Sequence, residues 1–181
     1  MADILAQFTP NMVVNSVLDI PLDHLERAGI RGLLFDLDNT LIPHYDDAFS
    51  PDVISWLEHL AARGLSVAMV TNAPSHRALP LAEVLNMRCI HRARKPLGSG
   101  VRAGVSMLAL PSAQVAMVGD QLFTDVWAGR RASTYTIWVH QEDLQEPLHI
   151  MLKRPIEQIL TRLVKLPDTV DTVSGQSDFS G

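Results

Sequence analysis

A chain of 181 residues, nearly half of them apolar and only moderately charged, holds enough material for one domain with a real core and too little for two. The formal net charge is −5, and the basic residues are scattered apart from short groups at Arg92-Ala93-Arg94-Lys95 and Arg130-Arg131. This argues against a nucleic-acid partner, which demands clustered cations. Cys89 is the single cysteine, so no intramolecular disulfide forms, and its apolar surroundings point to a buried, inert thiol. No signal peptide and no apolar run long enough to cross a membrane stands in the chain, which implies a reducing, cytoplasmic setting.

In chain order, an apolar cluster comes first: Phe8, Met12, Val13, Val14, Val17, Leu18 and Ile20. It either packs on the core or docks shallowly on a membrane, although it lacks the basic polar face that anionic lipids attract. Gly32-Leu33-Leu34-Phe35 then reads as a strand buried on both faces. Ser50-Pro51 opens a helix, as an N-cap followed by a first-turn proline. Val53, Ile54, Trp56, Leu57, Leu60 and Ala61 keep its helical period, and Gly64 closes it. A second strand covers Leu65 to Val70. A helix capped by Ser75 and shortened or kinked at Pro80 follows, and Met87 to His91 is a third strand.

A helix from Gly98 to Leu110 leads to a fourth strand, Gln114 to Val118. Phe123 to Arg131 is helical, Tyr135 to Val139 is a fifth strand, and Leu148 to Leu166 is an amphipathic helix broken in two by Pro155. From Pro167 the chain turns to Thr, Ser, Asp and Gly, with little to bury, and reads as a disordered tail over 167–181. Residues 1–166 then form one α/β domain. Alternating strands and helices predict a three-layer, Rossmann-like fold around a mainly parallel sheet of five strands.

Residues with chemical potential fall just after the strands, where open α/β sheets assemble their sites. Asp36-Leu37-Asp38-Asn39-Thr40 follows the first strand, and two carboxylates two positions apart share a face there. Thr71-Asn72 follows the second strand, Lys95-Pro96 the third, and Gly119-Asp120 the fourth, with Asp125 close behind. Taken singly, the aspartates read as caps or loop residues, Thr71 as a helix cap and Lys95 as a solvated surface charge. Their joint occurrence at successive strand ends points to a site instead.

The order FDLDNTL, MVTNA, RKP and VGDQLFTD, over about residues 30 to 140, resembles the haloacid dehalogenase-like superfamily. DLDNTLI, the KPLG run from Lys95 to Gly98, VGDQLFTDV from Val118 to Val126 and the late KRPIE segment are similar to its YqeG-type branch and the related phosphatidylglycerophosphate phosphatases. The resemblance implies a phosphatase in which Asp36 attacks phosphorus to form an aspartyl-phosphate while Asp38 serves as acid and then base. It implies Mg²⁺ held by Asp36, the carbonyl of Asp38 and Asp120. Thr71 and the Asn72 amide would grip the phosphoryl oxygens, Lys95 would neutralise their charge, and Asp125 would orient Lys95 or a metal-bound water.

His44, just after the first motif, borders the expected pocket, whereas the other histidines match no metal-ligand spacing. Superfamily enzymes for small metabolites commonly carry a cap domain. Neither the stretch between Asp38 and Pro51 nor that between the third strand and Lys95 is long enough for one. A capless, open site admits a phosphate on a large or membrane-bound molecule, and the expected substrate is phosphatidylglycerophosphate. A soluble metabolite or a phosphoprotein is the alternative, and a catalytically silent binding module is disfavoured by the intact Asp36, Asp38, Lys95 and Asp120.

Overall fold

The computed structural model describes residues 5–140, 154–164 and 166–170. Its six strands are β1 (Met12–Val14), β2 (Gly32–Phe35), β3 (Ser66–Val70), β4 (Arg88–Ile90), β5 (Val115–Gly119) and β6 (Tyr135–Val139). They form one sheet in the order β1-β6-β5-β2-β3-β4, and every neighbouring pair is parallel. All five expected strands are present, and β1 is a sixth. It lies inside the apolar N-terminal cluster and pairs with β6 at the far end of the sequence, Met12 opposite Ile137. Asn11 clamps that junction: its side-chain oxygen accepts from both the amide and the hydroxyl of Thr136. A three-residue strand with so distant a partner leaves no local periodicity to read.

The helices are α1 (Leu22–Arg27), α2 (Pro51–Ala62), α3 (Ser75–Val84), α4 (Ser99–Leu108), α5 (Trp127–Arg131) and α6 (Arg154–Leu163). Alternate residues of each central strand face opposite layers, as the pleat requires. Leu33 and Phe35 of β2 join Val53, Leu57 and Leu60 of α2 and Ala78 and Leu81 of α3 in one core. Leu34 faces the other side, packed with Val101, Val105 and Leu108 of α4 and Ala128 of α5. The result is the expected three-layer α/β arrangement, in which β2 is buried at every position.

Local signals explain most boundaries. The Ser50 side chain accepts from the Val53 amide at the start of α2, and Gly64 takes the left-handed conformation just past its end, with φ 76°. Ser75 is the first residue of α3 rather than its cap, and the helix continues through Pro80 instead of stopping there. The expected helix over Phe123 to Arg131 divides: Leu122–Val126 forms a π turn, closed by the Val126 amide on the Gln121 carbonyl, and α5 follows. Pro155 lies at the start of α6, where a proline is tolerated, rather than in its middle. Residues 148–153 of the expected final helix lie outside the described residues.

Two observations bear on the chain ends. Met12, Val13, Val14, Val17 and Ile20 are buried in the core, so these residues of the N-terminal cluster take the core-packing alternative, while Leu18 is exposed. Thr169 bridges to Val13, and the Val170 amide donates to the Val13 carbonyl at 3.0 Å, so the first part of the expected tail runs along β1. Residues 171–181 lie outside the described residues. No helix among the described residues is long and apolar enough to cross a membrane.

Candidate active site

The parallel sheet delivers β2, β3, β4 and β5 with their C-terminal ends on one edge, and the predicted residues follow those ends. The Asp36 amide still extends the sheet ladder, donating to the Val118 carbonyl of β5 at 2.9 Å. Beyond it the chain folds into a tight turn. The amides of Thr40, Leu41 and Ile42 converge on the Leu37 carbonyl, and Asn39 adopts φ 57°. The Asn39 side chain accepts from the His44 amide, which fixes the loop that leads away from the site. Asp36 and Asp38 both line the resulting cleft of about 270 Å³, together with His44, Thr71, Asn72, Arg77, Gln121 and Thr124.

Asp36 and Asp38 meet different cations. Asp36 Oδ1 lies 2.8 Å from Lys95 Nζ. Asp38 Oδ1 accepts from Arg77 Nε at 2.8 Å, with Arg77 Nη2 at 2.7 Å and His44 Nδ1 at 3.5 Å. Arg77, in the first turn of α3, has no part in the sequence-derived site. The available signal was a basic residue early in the helix that follows a functional strand end. Gln121 and Thr124 also line the cleft without a sequence signal, because the π turn that presents them has no recognisable sequence pattern.

Thr71 and Asn72 organise the neighbouring loops. The buried Thr71 hydroxyl accepts from the Ala73 amide and stabilises the turn out of β3. The Asn72 side chain clasps the backbone of Lys95 in both directions, accepting from its amide at 2.9 Å and donating to its carbonyl at 3.1 Å. That clasp locks Lys95 to the end of β3, so the Asn72 side chain positions the loop, and only its backbone amide is left for the anion-binding role the sequence suggested.

Lys95 is the electrostatic centre. Its side chain is almost wholly buried between Asp36 and Asp125, with Nζ 2.7 Å from Asp125 Oδ1. Burial alone would lower the pKa of the ammonium, but the two carboxylates outweigh it and leave the group above its ordinary value. The Asp125 side chain also accepts from the Gln121 amide at 3.0 Å. Gly119 leaves the space this requires: a Cβ there would collide with Asp125 Cγ.

Asp36, Asp120 and Asp125 each bring a carboxylate oxygen within 4.8 Å of the others. Burial, then the charges of Asp125 and Asp36, hold the Asp120 carboxyl well above the usual carboxylate range. Burial likewise pushes Asp125 up to about 6, with Lys95 opposing and Asp36 reinforcing the shift. Asp120 Oδ1 is buried without a hydrogen-bond partner. Three crowded carboxylates against one ammonium, with an unpartnered oxygen among them, form a donor set that fits a hard divalent cation. Asp38 is not part of this cluster through its side chain, which is turned onto Arg77; its contribution to a cation would come from its carbonyl, as the family pattern implies.

Comparison with known proteins identifies the family. The family model for haloacid dehalogenase-like hydrolases matches residues 45–133, and that for mitochondrial PGP phosphatase matches residues 4–81. The chain is 33% identical over 132 residues to the probable phosphatase YqeG of Bacillus subtilis, covering 73% of this chain and 77% of that protein. It is 29% identical over 166 residues to phosphatidylglycerophosphate phosphatase 1, chloroplastic/mitochondrial, of Arabidopsis thaliana. That match covers 86% of this chain but only 44% of the plant protein. Among solved structures, a hypothetical protein from Xanthomonas campestris shares 25% identity at a TM-score of 0.50, over 67% of this chain and 70% of that one. An uncharacterised protein from Listeria monocytogenes serotype 4b shares the fold at 15% identity and a TM-score of 0.51, over 75% of this chain and all of that one. The chain belongs to the haloacid dehalogenase-like hydrolases and is a phosphatase related to the phosphatidylglycerophosphate phosphatases.

Proposed function

We propose that this phosphatase is Mg²⁺-dependent and converts phosphatidylglycerophosphate to phosphatidylglycerol through a phosphoryl-Asp36 intermediate. The observation that carries the chemistry is the pairing of a cleft-lining Asp36 with the buried Lys95 at 2.8 Å, beside the unpartnered Asp120 oxygen. The Asp36 carboxylate attacks phosphorus, the bond from phosphorus to the glyceryl oxygen breaks, and Asp38 gives that oxygen its proton. Water then attacks the phosphoryl group and passes a proton to Asp38. The bond from Asp36 to phosphorus breaks and inorganic phosphate leaves. Thr71 and the Asn72 amide hold the phosphoryl oxygens, Lys95 neutralises charge growing on them, and Asp125 keeps Lys95 aimed at Asp36. Asp36, Asp120 and the Asp38 carbonyl would hold Mg²⁺, which when bound would offset the repulsion between an anionic nucleophile and an anionic phosphate.

The lipid substrate is supported by the open edge of the sheet and by the relatives named for that lipid. Only residues 39–50 separate Asp38 from α2, and only 91–94 separate β4 from Lys95, so neither connection holds a cap domain and none of the described residues forms one over the cleft. An uncapped cleft accepts a phosphate that stays attached to a bilayer, approached from the cytoplasmic side. Phosphate release from phosphatidylglycerophosphate micelles, compared with a panel of soluble phosphomonoesters, tests this reading. A higher kcat/KM on the lipid is expected, with no turnover by Asp36→Asn protein of native circular dichroism. Preference for a soluble ester would reassign the substrate, and an active Asp36→Asn variant would remove the covalent step.

A further inference from the structure

Arg77 is the single Lys or Arg among the described residues lining the cleft, since Lys95 lies buried behind Asp36. Its orientation is fixed on two sides. Nε and Nη2 hold Asp38 Oδ1, and Nη2 also donates to the His44 carbonyl at 2.8 Å and the Asp46 carbonyl at 3.3 Å. The third nitrogen is held differently. Nη1 meets Asp47 Oδ1 at 3.4 Å, and that carboxylate is 95% exposed. An exposed ion pair at such a distance contributes little to stability and is readily exchanged for another anion. Beyond it lies a second hollow, lined by Asp47, His76, Arg77, Pro80 and Leu81, so that Arg77 forms the wall between the two.

The position matters because of what Asp38 does. In the proposed reaction Asp38 protonates the leaving oxygen, so that oxygen lies within hydrogen-bond reach of Asp38. The atoms next to it, which belong to the alcohol half of the substrate, therefore pass over the guanidinium that grips Asp38. The surroundings are otherwise acidic, with Asp36, Asp38, Asp46 and Asp47 at the cleft or its rim, and repel any further negative charge on the substrate. We infer that Arg77 is a specificity residue whose Nη1 edge exchanges Asp47 for a second anionic group carried on the alcohol half of the phosphomonoester. The two N–H groups of Nη1 suit one oxygen of a phosphate diester or a carboxylate, and the hollow beside it receives the remainder of the molecule. This rests on the phosphatase reading and adds the chemical class of the leaving alcohol. A glycerophosphate diester meets the requirement with or without acyl chains.

The test compares kcat/KM on three substrates in the full-length Mg²⁺-loaded protein. These are p-nitrophenyl phosphate, whose alcohol half is uncharged, phosphatidylglycerophosphate in micelles, and its deacylated, water-soluble diester. Both diester substrates should be preferred over the aryl phosphate. Arg77→Gln should lower kcat on all three, because Asp38 loses its support, but should raise KM only on the two diesters. The preference should thereby fall about 10- to 100-fold. Asp47→Asn removes the competing carboxylate and should raise the preference, an effect no purely structural role of Arg77 predicts. Arg77→Lys should retain part of it. If Arg77→Gln does not fold, the Asp47→Asn and Arg77→Lys ratios decide. An unchanged preference in Asp47→Asn overturns the assignment, and so does a preference confined to the acylated substrate. Absence of any Mg²⁺-dependent aryl phosphatase activity in the wild type would instead remove the underlying phosphatase reading.

Discussion

Asp36 and Asp38 leave the same strand end two residues apart and finish against different cations, the first on buried Lys95 and the second on Arg77 at the cleft wall. That division suits two carboxylates with different tasks, one attacking and one carrying a proton. Asp36, Thr71 and Asp120 were legible in the sequence because each directly follows a strand that its apolar run announces, and Lys95 because it stands a short loop beyond the third expected strand. Arg77 was not, because its role depends on the rotation of α3 about its own axis. Gly119 was not, because its function is to have no side chain. Gly119→Ala places a methyl against Asp125 Cγ, whose carboxylate is held by Lys95 and Gln121 and has nowhere to go. Overpacking of this kind costs about 1–3 kcal/mol, and the displaced Asp125 would release Lys95. The expected result is a lower melting temperature together with at least about a tenfold loss of kcat on p-nitrophenyl phosphate. Native kcat in the variant would show that the position of Asp125 does not matter to the chemistry.

At the scale of elements, continuous apolar runs and caps announced β2, β3 and α2, and the structure places them within a residue or two of the expectation. What failed was non-local or irregular. β1 owes its existence to β6, and the π turn at Leu122–Val126 owes its form to the site, where Asp125 must reach Lys95. β1 also decides the status of the apolar N-terminal cluster. Val13 packs with Phe8, Leu122, Val126 and Trp138, and Val17 joins the main core. Val13→Ser and Val17→Ser should each cost on the order of 2 kcal/mol, from lost burial and a buried hydroxyl. Activity on micellar lipid and on soluble aryl phosphate should fall in parallel with the unfolding midpoint in urea. A selective loss on micelles, with unchanged stability, would return the segment to the membrane surface.

For the whole molecule, the carboxylate cluster ties stability to pH and, in the proposed reading, to a metal ion. Burial and neighbouring charge raise the pKa of Asp120, and burial, opposed by Lys95, raises Asp125 to about 6. Both groups thus hold protons more tightly folded than unfolded. In metal-free protein they favour folding while protonated and cost stability as pH climbs from the unfolded carboxyl value near 4 through about 6. A divalent cation competes with those protons, so the rise in melting temperature on adding MgCl₂ should be small at about pH 5 and larger at about pH 7.5. Equal rises at both pH values would place the bound ion elsewhere. The pairing of residues 169 and 170 with Val13 has a separate bearing on behaviour at high concentration. A flat parallel sheet is prone to recruit strands from other molecules at its two open margins. Here the chain's own backbone occupies the Val13 carbonyl on one margin, while the other is the three-residue β4 with Arg88 exposed. Among the described residues, neither margin offers an intruding strand a long uncharged ladder, which disfavours edge-to-edge pairing between copies of this chain.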